Sequence, residues 1–267
     1  MIQSALDRFD EILASAPGAR IAVFLDYDGT LTPIVDHPEA AVLSNSMQET
    51  LRELAARVPV AILSGRDLDN VRERVGIENI VYAGSHGFDI AGPHGLRRQM
   101  ASEFLPKLDM AEKKLQEALD GISGARVERK RLSIATHYRN VKENDVPKVK
   151  QVVGEVAWRH RELRKMTGKK VHELQPDIDW DKGRALMWLL ETLGLKDRNV
   201  FPIYIGDDRT DEDAFRALKH RGIGILVSEK PRFTAARYSL KEPSEVERFL
   251  RALTGHGRDH NSIYEIA

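Results

Sequence analysis

Two aspartates, Asp26 and Asp28, stand at the end of an apolar segment in "AVFLDYDGTLTP". In an extended segment the side chains at i and i+2 point the same way, so both carboxylates leave on one face. An Asp-Gly turn in which aspartates bond local amides explains most isolated pairs of this kind, and it stays open here. The apolar segment before them and Thr30 after them favour a second interpretation, because two crowded carboxylates are best tolerated around a divalent cation with oxygen ligands.

A second acidic cluster, "GDDRTDED" at 206–213, also follows an apolar segment. Asp207 and Asp208 could complete a Mg²⁺ site with Asp26, since Mg²⁺ prefers hard oxygen ligands. The alternative is that these acids begin a helix, where the helix dipole favours negative charge. Because Asp207 comes first, at the predicted strand end, we assign it to the metal. Helix capping is assigned to the later acids Asp211, Glu212 and Asp213.

Two further segments carry groups that could hold a phosphate. In "LSGR" at 63–66, Ser64 offers a hydroxyl after another apolar segment, and free backbone N–H groups follow it. Ser64 could instead cap a helix. Lys182 lies near the start of a predicted helix, where a lysine is out of place against the dipole, although an exposed lysine is the commoner explanation. Together these groups indicate phosphoryl transfer, with a metal and a lysine neutralising the phosphate so that a carboxylate can attack it.

The elements that must position these groups alternate between strand and helix. Apolar runs at 21–25, 58–63, 201–206 and 222–227 predict buried strands. Each is followed by a polar turn, and amphipathic helices are predicted at 44–57, 67–75, 210–220 and 244–253. This alternation predicts an α/β fold with a parallel sheet flanked by helices, whose ligands bind at the carboxyl ends of the strands.

The middle of the chain has a different pattern. Helical patterns at 102–119 and 145–163 accompany strand-like segments at 125–130, 132–141 and 169–176. Two helices on a small antiparallel sheet predict an inserted α+β domain. We therefore expect a core at 1–97 and 179–267, a second domain at 98–178, and a loose tail at 255–267.

Composition narrows the functional class. The chain has 267 residues, 42% of them hydrophobic, which suffices for one large or two modest domains. Its 41 basic and 41 acidic residues cancel, so we expect neither nucleic acid nor membrane as a partner. The lack of cysteine excludes disulfides, thiolate metal sites and cysteine nucleophiles. With no apolar signal-like segment at its start, the chain is expected to be soluble and cytoplasmic.

The order "DYDGTL", "LSGR", "DKG", "GDDRTDED" resembles the four motifs of the haloacid dehalogenase superfamily of phosphohydrolases. The segments "YAGSHGFDI", "ARVERKRLSIATHYRNV" and "GKKVHELQP" narrow the resemblance to its trehalose-phosphatase family, and the motifs span nearly the whole chain. The resemblance implies a Rossmann-like core of the haloacid dehalogenase type with an inserted cap domain. It also implies Mg²⁺-dependent hydrolysis of trehalose 6-phosphate, in trehalose biosynthesis. Unlike many relatives, the chain has no room for an attached trehalose-phosphate synthase domain, so we expect it to act alone, and we expect a monomer.

Roles follow from the resemblance at matching positions. Asp26 would be the nucleophile that forms an aspartyl-phosphate, and Asp28 the general acid and later the base. Ser64 and Lys182 would hold the phosphoryl oxygens. Mg²⁺ would be bound by the Asp26 carboxylate, the backbone carbonyl of Asp28, Asp207 and an adjacent Asp208.

Substrate contacts are expected from both domains. The core candidates, including the phosphate loop, are Thr30, Gly65, Arg66, Ser85, His86 and Gly87. The cap would close over the substrate and read the sugar. Its candidates are Arg129, His137, Arg139, Lys170 and Glu173.

The cap candidates leave alternatives open. Half of the polar residues in alternating strands merely face solvent, so some of the five need not bind. Neighbours on a strand face opposite ways, which leaves Lys169 or Lys170 as the ligand. In a regular strand Lys170 and Glu173 would also face opposite ways unless the chain bends.

Other functions on the same fold stay open. One is a phosphatase for another phosphosugar, such as sucrose phosphate or mannosylglycerate phosphate, and another is a phosphomutase. A dehalogenase is disfavoured because Asp28 has no task in that chemistry. A non-catalytic phosphosugar-binding regulator is weakened by the presence of both a nucleophile and an acid in the pattern.

Overall fold

The computed structural model describes residues 2–168, 170–197 and 199–256. They form two compact units, unit 1 from the segments on either side of residues 99–179 and unit 2 from Gln99–Asp179. The strands are β1 Gln3–Ser4, β2 Arg20–Leu25, β3 Val60–Leu63, β4 Val81–Gly84, β5 Asp89–Ala91, β6 Arg97–Gln99, β7 Arg126–Lys130, β8 Ser133–His137, β9 Leu163–Gly168, β10 Val171–Pro176, β11 Val200–Gly206, β12 Ile223–Val227 and β13 Tyr238–Leu240. The helices are α1 Phe9–Ala14, α2 Asn45–Ala55, α3 Leu68–Val75, α4 Leu105–Leu119, α5 Val146–Arg159, α6 Lys182–Thr192, α7 Asp211–Leu218 and α8 Pro243–His256.

Unit 1 contains a nine-stranded sheet in the order β1-β13-β12-β11-β2-β3-β4-β5-β6. The central strands β2, β3 and β11 pair in parallel, and β5 joins β4 antiparallel. Every residue of β3 is buried, as are the last four of β2, which is typical of a parallel sheet covered on both faces. The predicted α/β fold is confirmed, and each of the four predicted strands lies within two residues of its observed bounds.

The described part of unit 1 also holds elements that the sequence pattern did not predict. They are α1, the short strands β1, β4, β5, β6 and β13, and three further residues at the end of α8. The strands among them have two to four residues each, too few for an alternating pattern to stand out. The predicted loose tail begins inside α8, and its residues 257–267 lie outside the described residues. No helix that the structure describes has the length and the apolar run needed to cross a membrane.

Unit 2 is a four-stranded antiparallel sheet in the order β7-β8-β10-β9, with α4 and α5 on one face. Leu115 of α4 and Val153 of α5 pack with Ile134 and Leu174 of the sheet in one apolar cluster.

The second helix of unit 2 was predicted to continue to Leu163, and that end is wrong. Helix α5 ends at Arg159, and Leu163 begins β9. The buried Val149, Val153 and Val156 keep helical spacing up to Leu163, which explains the error. Pairing along all six residues of β9 with β10 takes precedence over that local pattern.

Candidate active site

Neighbouring strands bring Asp26 and Asp207 to the same edge of the sheet. Strands β2 and β11 pair in parallel, and the backbone N–H of Asp26 donates to the carbonyl of Ile205 at 2.9 Å. Asp26 is 5% exposed, whereas an Asp-Gly turn at a surface would leave it in water. The strand ends therefore explain how two distant acidic motifs meet.

Lys182 is buried at the first position of α6. Its Nζ donates to Asp26 Oδ1 and to Asp211 Oδ1, each at 2.7 Å. The N-cap of α6 is Asp181, whose side chain accepts from the Arg184 N–H at 2.8 Å. Lys182 is therefore not the exposed lysine that its residue type alone would suggest.

Asp211 does not act as a helix cap, and that assignment was wrong. Its Oδ1 accepts from Lys182 and from the Tyr204 hydroxyl at 2.7 Å. Its Oδ2 accepts from the backbone N–H groups of Asp207 and Asp208, both at 2.9 Å. This fully buried carboxylate thus links Lys182 to the backbone of Asp207 and Asp208.

The other two acids assigned to capping make different contacts as well. Glu212 Oε2 accepts from the backbone N–H of Ala235 at 2.8 Å, and Asp213 pairs with Arg216. The position of Asp211 could have been found from helical spacing, because Ala214, Phe215 and Leu218 define the inner face of α7 and Asp211 lies on it.

Carboxylate oxygens of Asp26, Asp207 and Asp211 all lie within 4.8 Å of one another. A glycine makes room for this group, because a Cβ on Gly29 would lie 2.2 Å from Asp207 Oδ2. Carboxylates are hard oxygen donors of the kind that divalent cations such as Mg²⁺ and Ca²⁺ prefer. The residues present therefore fit a divalent metal ion.

The electrostatics of this group also favour a cation. Burial and the neighbouring carboxylates of Asp211 and Asp208 raise the pKa of Asp207 to about 8. Burial also raises the pKa of Asp26 well above its usual value, although Lys182 opposes that shift. One lysine does not balance three close carboxylates, and a divalent cation would supply the missing positive charge.

Asp208 caps the turn beside the cluster. Its Oδ1 accepts from the backbone N–H and the hydroxyl of Thr210, both at 2.7 Å. Although burial acts to raise the pKa of Asp208, Lys182 and the Thr210 hydrogen bonds lower it below its usual value. The cluster of three does not include Asp208, which stays a predicted ligand.

Asp28 does not belong to the group of three acids and pairs with Arg66. Arg66 Nε lies 2.7 Å from Asp28 Oδ2, and Arg66 Nη2 lies 2.6 Å from Asp28 Oδ1. The Asp28 side chain is 44% exposed and that of Arg66 is 11% exposed. This two-point contact was not apparent from the sequence.

The "LSGR" and "GSHG" segments lie together. The backbone N–H of His86 donates to the carbonyl of Ser64 at 2.8 Å, and that of Ser85 donates to the carbonyl of Arg66. A Cβ on Gly65 would lie 2.7 Å from His86 Cε1, so the imidazole packs against this glycine. The N-cap of α3 is Asp67, and Ser64 instead accepts from the Arg66 N–H at 3.1 Å.

Gly87 and Thr30 complete the predicted set in unit 1. Gly87 has φ +90°, and a Cβ there would lie 2.3 Å from the Ala185 Cβ of α6, the helix that carries Lys182. The Trp180 indole N–H donates to the Gly87 carbonyl at 2.8 Å. Thr30 is fully buried, and its Oγ1 has no hydrogen-bond partner among the described residues, which fits a position beside a bound oxyanion.

In unit 2, His137 and Glu173 share the sheet face that lacks helices. His137 Nε2 lies 2.7 Å from Glu128 Oε2, and Lys130 Nζ lies 3.1 Å from Glu173 Oε1. Ser133 also donates to Glu173. Glu128, Lys130 and Ser133 were not among the predicted residues, although period-two alternation places them on the same face as His137 and Glu173.

The other three cap candidates lie elsewhere in unit 2. Arg129 points to the helix face and pairs with Asp109 and Glu112 of α4, so it does not share a face with His137. Arg139 is exposed in the turn after β8. Lys170 has φ +64° and precedes β10, so the expected strand alternation between it and Glu173 does not apply, and Lys169 lies outside the described residues.

Comparison with known proteins gives consistent matches. The sequence model described as trehalose-phosphatase matches residues 24–244. A trehalose 6-phosphate phosphatase of Zea mays is 47% identical over 94% of this chain and 74% of its own length. The structure of a trehalose-6-phosphate phosphatase related protein superposes with a TM-score of 0.77 at 25% identity, covering 88% of this chain and 98% of that one. A haloacid dehalogenase-like hydrolase of Bacteroides thetaiotaomicron shares the fold, with a TM-score of 0.64 at 17% identity over 88% of this chain and 99% of that one.

Proposed function

The chain belongs to the trehalose-phosphatase family, and on this premise we propose that it hydrolyses trehalose 6-phosphate to trehalose and inorganic phosphate, a reaction of trehalose biosynthesis. The observation that carries the proposal is the buried Asp26 carboxylate, which bonds Lys182 and lies close to the carboxylates of Asp207 and Asp211. A carboxylate held next to a cation at the end of a strand is suited to attack phosphorus.

We propose that Asp26 is the nucleophile and forms an aspartyl-phosphate. Its contact with Lys182 supports this role, because the ammonium opposes the rise that burial causes in the Asp26 pKa and so favours the anionic form that attacks phosphorus. Mg²⁺ would be held by Asp26, the backbone carbonyl of Asp28 and Asp207, with Asp208 beside them, and it would neutralise negative charge on the phosphate. Ser64 and Lys182 would hold the phosphoryl oxygens during transfer.

Asp28 would donate a proton to the leaving sugar oxygen and then take one from water. Its partly exposed position supports this assignment, since a general acid must reach both the ester oxygen and the solvent. Thr30, Gly65 and the segment Ser85–Gly87 remain the predicted substrate contacts in unit 1, whereas Arg66, predicted as another, bonds Asp28.

The polar face of unit 2 would recognise the sugar. Trehalose has no charge, so its recognition needs donors and acceptors arranged in a fixed geometry. Glu173 is oriented by Lys130 and Ser133, and His137 by Glu128, which supports both as sugar ligands. Arg129, Arg139 and Lys170 remain predicted ligands without such support, and the domain limits at residues 98 and 178 also stay predictions.

A panel of phosphosugars tests the substrate. Purified protein with Mg²⁺ is assayed for phosphate release from trehalose 6-phosphate, sucrose 6-phosphate, mannosylglycerate phosphate and glucose 6-phosphate. We expect trehalose 6-phosphate to give the highest kcat/KM and Glu173→Gln to raise its KM. A preference for another sugar would overturn the substrate and leave the phosphatase in place.

The mechanism is tested with Asp26→Asn. This variant should neither release phosphate nor form an acid-stable phosphoenzyme. The native protein should release phosphate and form that phosphoenzyme. Phosphate release at the native rate by Asp26→Asn would overturn the mechanism. A non-catalytic phosphosugar-binding protein would instead bind the substrate without turnover in both forms. A monomeric state and a cytoplasmic location stay predictions.

A further inference from the structure

Arg66 holds Asp28 more firmly than its place in a phosphate-binding segment predicts. Its Nε and Nη2 each bond a different oxygen of the Asp28 carboxylate, at 2.7 and 2.6 Å. Such paired bonds fix the plane of the carboxylate as well as its distance. The contact joins two segments of unit 1 that lie 38 residues apart in sequence.

Arg66 is itself fixed by groups other than Asp28. Its Nη2 also donates to the carbonyl of Pro38 at 2.8 Å, and its Nη1 donates to Asn70 Oδ1 at 3.1 Å. The guanidinium lies 5.3 Å from the centroid of the buried Tyr27 ring. The arginine is therefore a fixed support, and Asp28 is the group that it orients.

These bonds leave little of the guanidinium for a phosphate. An arginine has five N–H donors. Asp28 takes two, Pro38 one and Asn70 one, so at most one remains. A ligand of the substrate phosphate would be expected to present two parallel N–H groups to it.

We propose that Arg66 is a positioning residue for the general acid–base Asp28 and acts mainly when Asp28 is anionic. The proposal rests on the proposed function. In the first half-reaction an Asp26 oxygen bonds to phosphorus, the ester P–O bond breaks, and the Asp28 proton moves to the sugar oxygen. Asp28 is then the carboxylate that Arg66 holds by both oxygens.

The second half-reaction uses that carboxylate as a base. Asp28 takes a proton from water, the water oxygen bonds to phosphorus, and the bond between phosphorus and Asp26 breaks. Inorganic phosphate leaves, Asp26 is again a carboxylate, and Asp28 is protonated. A carboxylate free to rotate would be misplaced for this proton transfer, and misplacement by about 1 Å can cost 100-fold in rate.

The two half-reactions can be separated with p-nitrophenyl phosphate. Its leaving group is a weak base that needs no proton, so phosphorylation of Asp26 does not depend on Asp28. Rapid mixing then gives a burst of p-nitrophenolate for the first half-reaction and a steady rate for the second. The variants are Arg66→Gln and Arg66→Lys, with circular dichroism to verify folding.

The matched control is Arg74→Gln. Arg74 also bonds Asn70 Oδ1, at 3.0 Å, and the carbonyl of Ala41, but no described contact joins it to Asp28. It therefore tests whether loosening the same loop is enough to change the rates. Asp26→Asn should give no burst, and a burst from that variant would overturn the proposed function rather than the role of Arg66.

We expect Arg66→Gln to keep its burst rate within about threefold of the native value while its steady rate falls about 10- to 100-fold. Its turnover of trehalose 6-phosphate should fall at least as far. Arg66→Lys should regain only part of the loss, because one ammonium cannot reproduce the two-point contact. A burst that slows as much as the steady rate, native rates in Arg66→Gln, or the same losses in Arg74→Gln would each overturn the proposal.

Discussion

Asp211→Asn is expected to destabilise unit 1 although it keeps the shape of the side chain. All four groups that contact the Asp211 carboxylate donate hydrogen bonds to it: Lys182 Nζ, the Tyr204 hydroxyl and the N–H groups of Asp207 and Asp208. A carboxylate accepts at both oxygens, whereas an amide accepts at one and donates at the other. In either orientation of the amide, its NH₂ group therefore faces two neighbouring groups that are themselves hydrogen-bond donors.

The cost can be worked out from these contacts. If the amide NH₂ faces Asp207 and Asp208, two backbone N–H groups lose their acceptor, at about 1–3 kcal/mol each. If it faces Lys182 instead, a buried ammonium loses one of two carboxylate partners, and breaking a buried ion pair costs about 3–5 kcal/mol. Asp26 still contacts Lys182 in that case, so we expect a loss of about 3–4 kcal/mol.

Urea unfolding followed by tryptophan fluorescence measures this loss. The three tryptophans are Trp158 in unit 2 and Trp180 and Trp188 in unit 1. Because Trp158 is 67% exposed, Trp158→Phe provides a background in which fluorescence reports unit 1 alone. The experiment is done with a chelator, so that metal binding does not contribute.

The control is Asp213→Asn, the same substitution two residues later. Asp213 makes a surface ion pair with Arg216, for which we expect a change of about 0–1 kcal/mol. An Asp211→Asn variant that loses no more free energy of unfolding than Asp213→Asn would refute the account of Asp211 as an acceptor for four donors.

Two further predictions concern the carboxylates near the metal. The folded pKa of Asp207, about 8, lies above the usual value of 3.8, so the stabilisation from its bound proton is complete below about pH 4 and is lost as the pH rises to 8. The free energy of unfolding in chelator should thus fall between pH 5 and 8, by up to about 1.4 kcal/mol per pH unit, and Asp207→Asn or Mg²⁺ should flatten this slope; a slope unchanged by Asp207→Asn would contradict the assignment. Gly29→Ala should raise the Mg²⁺ concentration needed for half-maximal activity about 10-fold or more. The new Cβ would lie 2.2 Å from Asp207 Oδ2, so the Asp207 carboxylate would have to move. Gly18→Ala has a similar φ of +70° but nothing within 4 Å of its Cβ, so it should leave the Mg²⁺ requirement unchanged, and equal effects would show backbone strain to be the cause.

The sequence predicts the framework of unit 1 well for a physical reason. Strands β2, β3, β11 and β12 are buried on both faces, so each is a run of apolar residues that local composition shows. Strand β1 depends on pairing with β13, far along the chain, and the turn into β9 depends on the hairpin that β9 forms with β10; a local apolar pattern records neither. The same limit explains why α5 was predicted too long.

The candidate site divides in the same way. Asp26, Ser64 and Asp207 could be proposed because each directly follows an apolar strand. Their partners are harder to find: helical spacing places Asp211 on the inner face of α7, but no local pattern shows that its carboxylate bonds a lysine 29 residues earlier in the chain. The sequence likewise does not show which face of the sheet carries Arg129, and its ion pair with Asp109 of α4 identifies the helix face.

The bond between Asp26 and Lys182 spans 156 residues of sequence, and all of unit 2 is encoded between these two positions. During synthesis on the ribosome, β2 is therefore complete long before its neighbour β11 is made. Until then, the edge of β2 that pairs with β11 has no partner strand. Such non-local pairing forms late and slowly in folding. A nascent chain that ends before β11 thus contains Asp26 and Lys182 but lacks Asp207 and Asp211, so the group of three acids cannot form until β11 and the start of α7 have been made.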